Sequence, residues 1–308
     1  MTVADVWDDP NRPWPKLVYI STTNICNANC ICCVNQIHKK VRGIMSLENF
    51  KIVADKIKAN GAMIGAMFCW GEPLVDTTLF DKCAYARSIG VMMPTIGLNT
   101  NVSLLTPDKF AAVLEHTPNI TLSFFNVGTE YERITNLNWE TSYRNALAFI
   151  EYRDTHKTDY LIRIGCNKIV GHNLENVKRA FAGKNVVFEQ DAELHWRDKI
   201  LTGPLNRLQT FPFWRCDGHS GCMQVIWNGD CEICAYDVVG ADDGHGETKF
   251  GNILTDDWHT LCVNANRMWK EGSKLCRRCD YWHGAQYVIN HESLPVGWDE
   301  WKKEYLAG

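Results

Sequence analysis

The sequence predicts an α/β protein: a partial (β/α)6, TIM-like barrel followed by a small cysteine-rich domain. Three observations carry that expectation. Strand-like and helix-like segments alternate over residues 16–190, the alternation then stops, and cysteines crowd towards both ends of the chain. Alternating strands and helices imply a parallel sheet with helices outside it, and six units fall short of the eight that close a barrel.

The elements follow in order. Residues 16–21 read as a strand, β-branched and aromatic after a Pro-rich lead-in. Ser46 opens a helix with Phe50, Val53 and Ile57 on one face, and Gly61 follows its end. Residues 62–69 are a second strand, 76–90 a helix and 92–98 a third strand. Thr106-Pro107-Asp108 starts a helix with a capping hydroxyl and Pro in the first turn, and Phe110, Val113 and Leu114 form its apolar stripe. Strands at 120–125, 160–166 and 186–189 alternate with helices at 139–153 and 174–182. The expected organisation is an extension (1–15), the barrel (16–190), a bridge (191–213), a metal-stapled domain (214–285) and a tail (286–308).

Composition narrows the function classes. The 308 residues carry 32 Lys+Arg against 36 Asp+Glu and are 45% hydrophobic, enough for a sizeable core. Without a basic excess to neutralise phosphates, no nucleic-acid partner is expected. No apolar run is long enough to span a membrane. Residues 1–15, with Asp5, Asp8 and Asp9, lack the basic and apolar regions of a secretory signal. A cytoplasmic location follows, where disulfides seldom persist, so the fourteen cysteines point to metal ligation.

Cys26, Cys30, Cys32 and Cys33 lie directly after the first strand. Three thiolates spaced C-x3-C-x2-C in one loop can ligate three irons of a [4Fe–4S] cluster and leave the fourth iron open. Zinc or an ordinary ferredoxin cluster would want a fourth protein ligand nearby. The open iron can bind a small molecule through an amine and a carboxylate. A labile zinc loop and a chance cluster are the alternatives.

This loop resembles the signature of the radical S-adenosylmethionine (SAM) superfamily, and the resemblance covers roughly residues 16–190. Trp70-Gly71-Glu72-Pro73, after the second strand, is similar to the family's Gly-Gly-Glu-Pro motif, which contacts the amino group of SAM. Met45-Ser46-Leu47-Glu48 fits the usual start of the first helix, Asn99 in Leu98-Asn99-Thr100-Asn101 the polar end of strand three, and Ser123 a position near the SAM ribose. Cys32 stands where the family usually has a large or aromatic residue, and Trp70 replaces the first Gly. The resemblance implies reductive cleavage of SAM to a 5′-deoxyadenosyl radical that takes a hydrogen atom from an unactivated C–H. The protein then supplies positioning and exclusion of water. A flavodoxin or ferredoxin is the implied electron donor.

Two frames fit the C-terminal cysteines. Cys231-x2-Cys234 with Cys276-x2-Cys279 reads as a zinc ribbon. Cys216, Gly229, Cys234, Gly251-Asn252-Ile253 and Cys276-x2-Cys279 instead resemble the twitch domain, the single-cluster relative of the SPASM domain. That resemblance implies an auxiliary [4Fe–4S] cluster on Cys216, Cys234, Cys276 and Cys279, with Cys222 or Cys231 as substitutes, and hence two clusters in all. It also makes 226–230 a β-hairpin with an Asn-Gly turn, and places Asp237 and Arg267 where the family tends to have Asp and Arg.

Substrate contacts are expected where the barrel strands end. Candidates are Asn126, Arg163, Glu189, Gln190, His195 and Trp196, with Trp282 and His283 from the small domain; Arg163 can equally pair with a barrel carboxylate. The form of 70–74 and the Cys216-to-Cys234 interval are similar to 2-deoxy-scyllo-inosamine dehydrogenase-type enzymes. That similarity implies a small polar sugar- or aminocyclitol-like substrate and net dehydrogenation of a carbinol. The alternatives are an epimerase quenching the substrate radical with a thiol, for which Cys262 and Cys166 are the candidates, a peptide maturase, and a zinc-stapled binding module. Cys26 follows the first strand by only five residues, which leaves no room upstream for a leader-peptide-binding domain.

Overall fold

The computed structural model describes residues 15–31, 33, 40–67, 70–92, 97–166, 172–189, 222–234, 237 and 244–271. It is an α/β fold with a largely parallel sheet. Strands β1 (Leu17–Ile20), β2 (Met63–Ala66), β3 (Leu98–Thr100), β4 (Asn119–Ser123), β5 (Leu161–Gly165) and β6 (Val187–Glu189) follow the expected order. Helices α1 (Leu47–Ala59), α2 (Leu79–Ser88), α3 (Pro107–His116), α4 (Gly128–Thr135), α5 (Trp139–His156) and α6 (Leu174–Ala180) connect them. Beyond residue 221 come β7 (Cys222–Val225), β8 (Asp230–Glu232), β9 (Lys249–Asn252) and α7 (Trp258–Glu271).

Local chemistry accounts for most boundaries. Ser46 caps α1 by accepting from the Asn49 N–H, and Phe50, Val53, Ala54 and Ile57 form its buried stripe. Asn138 and Asn173 cap α5 and α6 in the same way. Thr106 does not use its hydroxyl as a cap, and Pro107 at the first position of α3 suffices. The third strand begins at Leu98 rather than Met92. Met92 makes a single parallel bridge to Ile64, and 93–96 lie outside the described residues. Residues 76–90 begin as extended backbone and a turn closed by the Leu79 N–H on the Asp76 carbonyl (3.1 Å), with the helix proper starting at Leu79. Helix α4 was not expected.

The register settles which face of the β3–β6 sheet is which. Paired residues of a parallel sheet share a face. Leu98, Ile120 and Ile162 form one row and Leu122, Ile164 and Phe188 the next, and these pack into the core under the helices. The opposite face carries Asn99, Thr121, Arg163 and Val187 in one row and Ser123, Gly165 and Glu189 in the next. That face is polar and at least partly open, so it is the concave interior of the arc.

The C-terminal strands are not a separate layer. β7 pairs in parallel with β1, from Leu17–Cys222 to Ile20–Val225, giving a sheet ordered β2-β1-β7-β8-β9. The β7–β8 hairpin turns through Trp227, Asn228 and Gly229, with only Gly229 at positive φ (+87°). Such a three-residue loop ends in a left-handed glycine and puts Trp227 at the tip. Among the described residues, no helix is long and apolar enough to cross a membrane.

Candidate functional site

The cysteine loop leaves β1 and is pinned on every side. Cys26, Cys30 and Cys33 are half-buried and take part in no disulfide. The N–H groups of Asn29 and Ile31 donate to the carbonyls of Thr135 and Ile134 at the end of α4, at 3.0 and 2.9 Å. Those carbonyls have no partner within a helix, so the unexpected helix serves as the platform for the loop. The Cys26 sulfur accepts from the Ala28 N–H at 3.4 Å and from the Asn101 amide at 3.8 Å. Burial pushes its thiol up, while these two donors favour the thiolate.

The turn after β2 lies directly against this loop. Gly71 has φ +82°, and a Cβ there would sit 2.7 Å from the Ile25 carbonyl and 2.9 Å from that of Thr23. Only glycine allows that approach. The Glu72 N–H donates to the Ile25 carbonyl at 2.8 Å. The Glu72 side chain is buried and accepts from Leu74 N–H (3.1 Å), Thr100 hydroxyl (2.7 Å) and Asn101 N–H (2.7 Å). Burial raises its carboxyl to about 7, and the three donors pull the other way. Glu72 is therefore a brace joining the turn, the cysteine loop and the end of β3. Pro73 opens the 310 turn Pro73–Val75 that carries the chain away.

Asn99 and Ser123 both sit on the concave face, Asn99 exposed and Ser123 partly so. Arg163 pairs with Glu189 (Nε–Oε1, 2.6 Å) and donates to Asn119 Oδ1 at 2.6 Å. The anticipated barrel carboxylate is thus itself one of the candidates. Gly165, in the row of Ser123 and Glu189, is buried, and its missing Cβ makes room for the Thr121 methyl, whose Cγ2 would lie only 2.9 Å from it. Asn126 is buried and accepts from the Asn176 amide.

The two thiol candidates do not reach that face. Cys166 is fully buried, continues the alternation of Ile162 and Ile164 under the helices, and points its sulfur at the Phe125 carbonyl (3.5 Å). Burial raises its thiol to about 11. Cys262 lies on α7, which packs on β9 at the outer edge of the other sheet. Cys222 and Cys231 are buried as well. Cys222 packs with Leu17 and Cys231 belongs to the main core; burial drives the Cys222 thiol to about 12 and raises that of Cys231 well above its ordinary value. Cys234 is buried just beyond β8. Cys32, Gln190, His195, Trp196, Cys216, Cys276, Cys279, Trp282 and His283 lie outside the described residues.

Among the described residues no three His, Cys, Asp or Glu side chains converge on a single metal ion. That speaks to one-ion sites such as zinc; a cubane spreads its cysteine sulfurs wider than the ligands of one ion are spread. The donor set fits the larger group: three thiols on one pinned loop, with N–H donors directed at the first sulfur.

A family model described as the radical SAM superfamily matches residues 20–179, half of the chain. The chain belongs to that superfamily. Membership implies an enzyme that uses SAM and a [4Fe–4S] cluster. Solved structures extend the likeness of fold past the matched region. Streptococcus suis SuiB bound to precursor peptide SuiA is 13% identical, with a TM-score of 0.61 over 87% of this chain and 70% of that one. Native anSMEcpe with bound AdoMet is 16% identical, with a TM-score of 0.60 over 86% and 88%. BtrN in complex with AdoMet and 2-DOIA is 18% identical, with a TM-score of 0.50 over 86% and 92%. No curated protein matches the sequence.

Sequence reasoning missed Thr100 and Asn101 as braces, although both lie in the polar segment it singled out. It also missed Lys40 and Trp227, which hold the far side of the loop and which no local pattern marks.

Proposed function

We propose that Cys26, Cys30 and Cys33 hold the radical SAM cluster, and that the enzyme removes hydrogen from a carbinol of a small sugar- or aminocyclitol-like substrate. When bound, the cluster and SAM supply a carbon radical able to take a hydrogen atom from an unactivated C–H. The residues of the chain do the rest. Gly71, Glu72 and Pro73 set a tight turn and a buried carboxylate beside the cysteine loop, a setting suited to the amino group of SAM. Asn99 and Ser123 offer polar contacts to its nucleoside from the concave face. The observation that carries the substrate class is the partly exposed Arg163–Glu189 pair on that face. A guanidinium and a carboxylate side by side hydrogen-bond neighbouring hydroxyl or amino groups. Glu189, exposed there, is the acceptor for the hydroxyl proton.

Among the described residues, the concave rows carry no thiol, which favours dehydrogenation over thiol-quenched epimerisation. Cys216, Cys234, Cys276 and Cys279 are the proposed ligands of an auxiliary [4Fe–4S] cluster in a twitch-type domain, which would accept the second electron that the substrate radical must lose to become a carbonyl. The expected setting is a reducing cytoplasm with a flavodoxin or ferredoxin as electron donor. Anaerobic turnover of an aminocyclitol panel in D2O tests the reading. A dehydrogenated product loses two hydrogens and gains no deuterium on carbon. An epimer carrying one deuterium on carbon overturns the dehydrogenase reading, and a modified peptide overturns the substrate class.

A further inference from the structure

Lys40 is a buried lysine seven residues after Cys33, with 5% of its surface exposed. Its ammonium pairs with Glu232 Oε1 at 2.5 Å and donates to the Asp237 carbonyl, both in the C-terminal part of the chain. Glu232 is itself 2% exposed. The Asp237 carboxylate is held in turn by the Thr248 N–H (2.6 Å) and hydroxyl (2.8 Å). Gly246 leaves no room for a Cβ, which would lie 2.7 Å from Asp237 Oδ2. The pocket around the ammonium is therefore closely packed.

The residues after Lys40 continue the joint. The Val41 N–H donates to the Gly244 carbonyl at 3.3 Å, and Trp227 Nε1 donates to the Val41 carbonyl at 3.0 Å. Gly43 lies flat under the Trp227 indole, where a Cβ would come within 2.6 Å of the ring. On its other side the same segment holds the residues that lead into Cys26. The Asn24 amide donates to Val41 O (2.8 Å) and its Oδ1 accepts from Gly43 N–H (2.9 Å), while the Thr23 hydroxyl donates to Gly43 O (2.9 Å). Residues 40–43 thus sit between the C-terminal strands and the start of the cysteine loop.

We propose that Lys40 is a positioning residue of the cysteine loop. Its pocket on Glu232 and Asp237 lets the C-terminal strands set the path of 40–43, and that path sets where Thr23 and Asn24 hold the loop. The C-terminal strands are then a working part of the SAM site. A buried ion pair adds little stability over an apolar pair of the same shape, but separating its partners leaves each charge buried and uncompensated, so Lys40 and Glu232 tie their two distant segments together. The assignment rests on the reading that Cys26, Cys30 and Cys33 hold the cluster.

The test uses the full chain with two variants, Lys40→Met, which removes the ammonium, and Trp227→Ala, which removes the indole from a partly exposed tip. Hydrogen exchange on the metal-free protein is expected to quicken at least about tenfold at the amides of Asn29, Ile31 and Gly43, equivalent to ~1.4 kcal/mol of local opening, with β4 and β5 unchanged. After anaerobic iron loading, both variants take up as much iron as the parent. Their change in electron paramagnetic resonance on adding SAM is weakened, and KM for SAM rises more than kcat falls. Exchange that stays at parent level, or that quickens evenly over the chain, overturns the proposal, as does an unaltered response to SAM. A parent protein that takes up no iron at the three cysteines instead defeats the cluster reading, and the exchange comparison still decides whether Lys40 places the loop.

Discussion

The molecule keeps its cysteines in two contrasting settings. Cys26, Cys30 and Cys33 are half-exposed on a loop whose backbone is tied to α4, to the Glu72 turn and to 40–43. Cys166, Cys222 and Cys231 sit on strands or strand ends inside apolar packing, and burial holds all three as thiols. Burial raises the Cys26 thiol too, so what sets the loop cysteines apart is their pinned, partly open placement and the N–H donors at the first sulfur. On the reading proposed above, that placement separates cysteines able to hold a cluster from cysteines packed into the core, although all look alike in a cysteine-rich sequence.

The largest effect expected from this contrast is on iron. Cys26→Ser, Cys30→Ser or Cys33→Ser leaves the fold intact and abolishes SAM cleavage, read as 5′-deoxyadenosine formed under dithionite. Cys231→Ser does the opposite, keeping N-terminal iron and losing about 1–3 kcal/mol of stability, because a hydroxyl replaces a sulfur in the core. Denaturant titration beside iron analysis checks both, and a Cys231 variant that loses cluster iron at unchanged stability would break the comparison.

Next come the braces of the loop. Gly71→Ala forces a side chain onto positive φ and against the Ile25 carbonyl, costing about 2 kcal/mol or more. Glu72→Gln keeps the shape but turns an amide NH2 towards one of three donors, at a cost of about 1–3 kcal/mol. Both are expected to weaken SAM binding at least about tenfold by calorimetry. Equal affinity in either variant would mean that the turn does not support the SAM site.

Smaller still is the effect of Arg163→Met. The pair it breaks is partly exposed and contributes about 0–1 kcal/mol to stability, so the thermal midpoint hardly moves. Substrate KM rises while SAM cleavage without substrate stays at the parent rate. The smallest effect is on Cys166→Ala and Cys262→Ala, which leave the product unchanged; an altered ratio of epimer to ketone in either variant would restore a thiol donor.

Local signals carried the barrel half of the fold. Ser46, Pro107 and the alternation of apolar residues mark their elements by short-range chemistry, and so did the cysteine spacing and Gly71-Glu72-Pro73. What escaped depends on distant partners. β7 pairs with β1 across some two hundred residues of chain, which no periodicity encodes. Helix α4 has eight residues and a brief apolar stripe at Tyr131 and Ile134, so its role as a platform shows only when the loop is docked on it. Lys40 reads as an ordinary surface lysine until Glu232 and Asp237 are folded around it. The start of β3 was misplaced because 92–98 is β-like by composition, while the ladder to β4 begins only at Leu98–Ile120.

The most direct measurement is electron paramagnetic resonance of the anaerobically iron-loaded, dithionite-reduced chain with Cys234→Ala, before and after adding SAM. A signal from a reduced [4Fe–4S] cluster that changes on SAM addition, together with 5′-deoxyadenosine in the same tube, is the predicted result. A colourless protein, or a cluster signal indifferent to SAM with the nucleotide intact, would contradict the account.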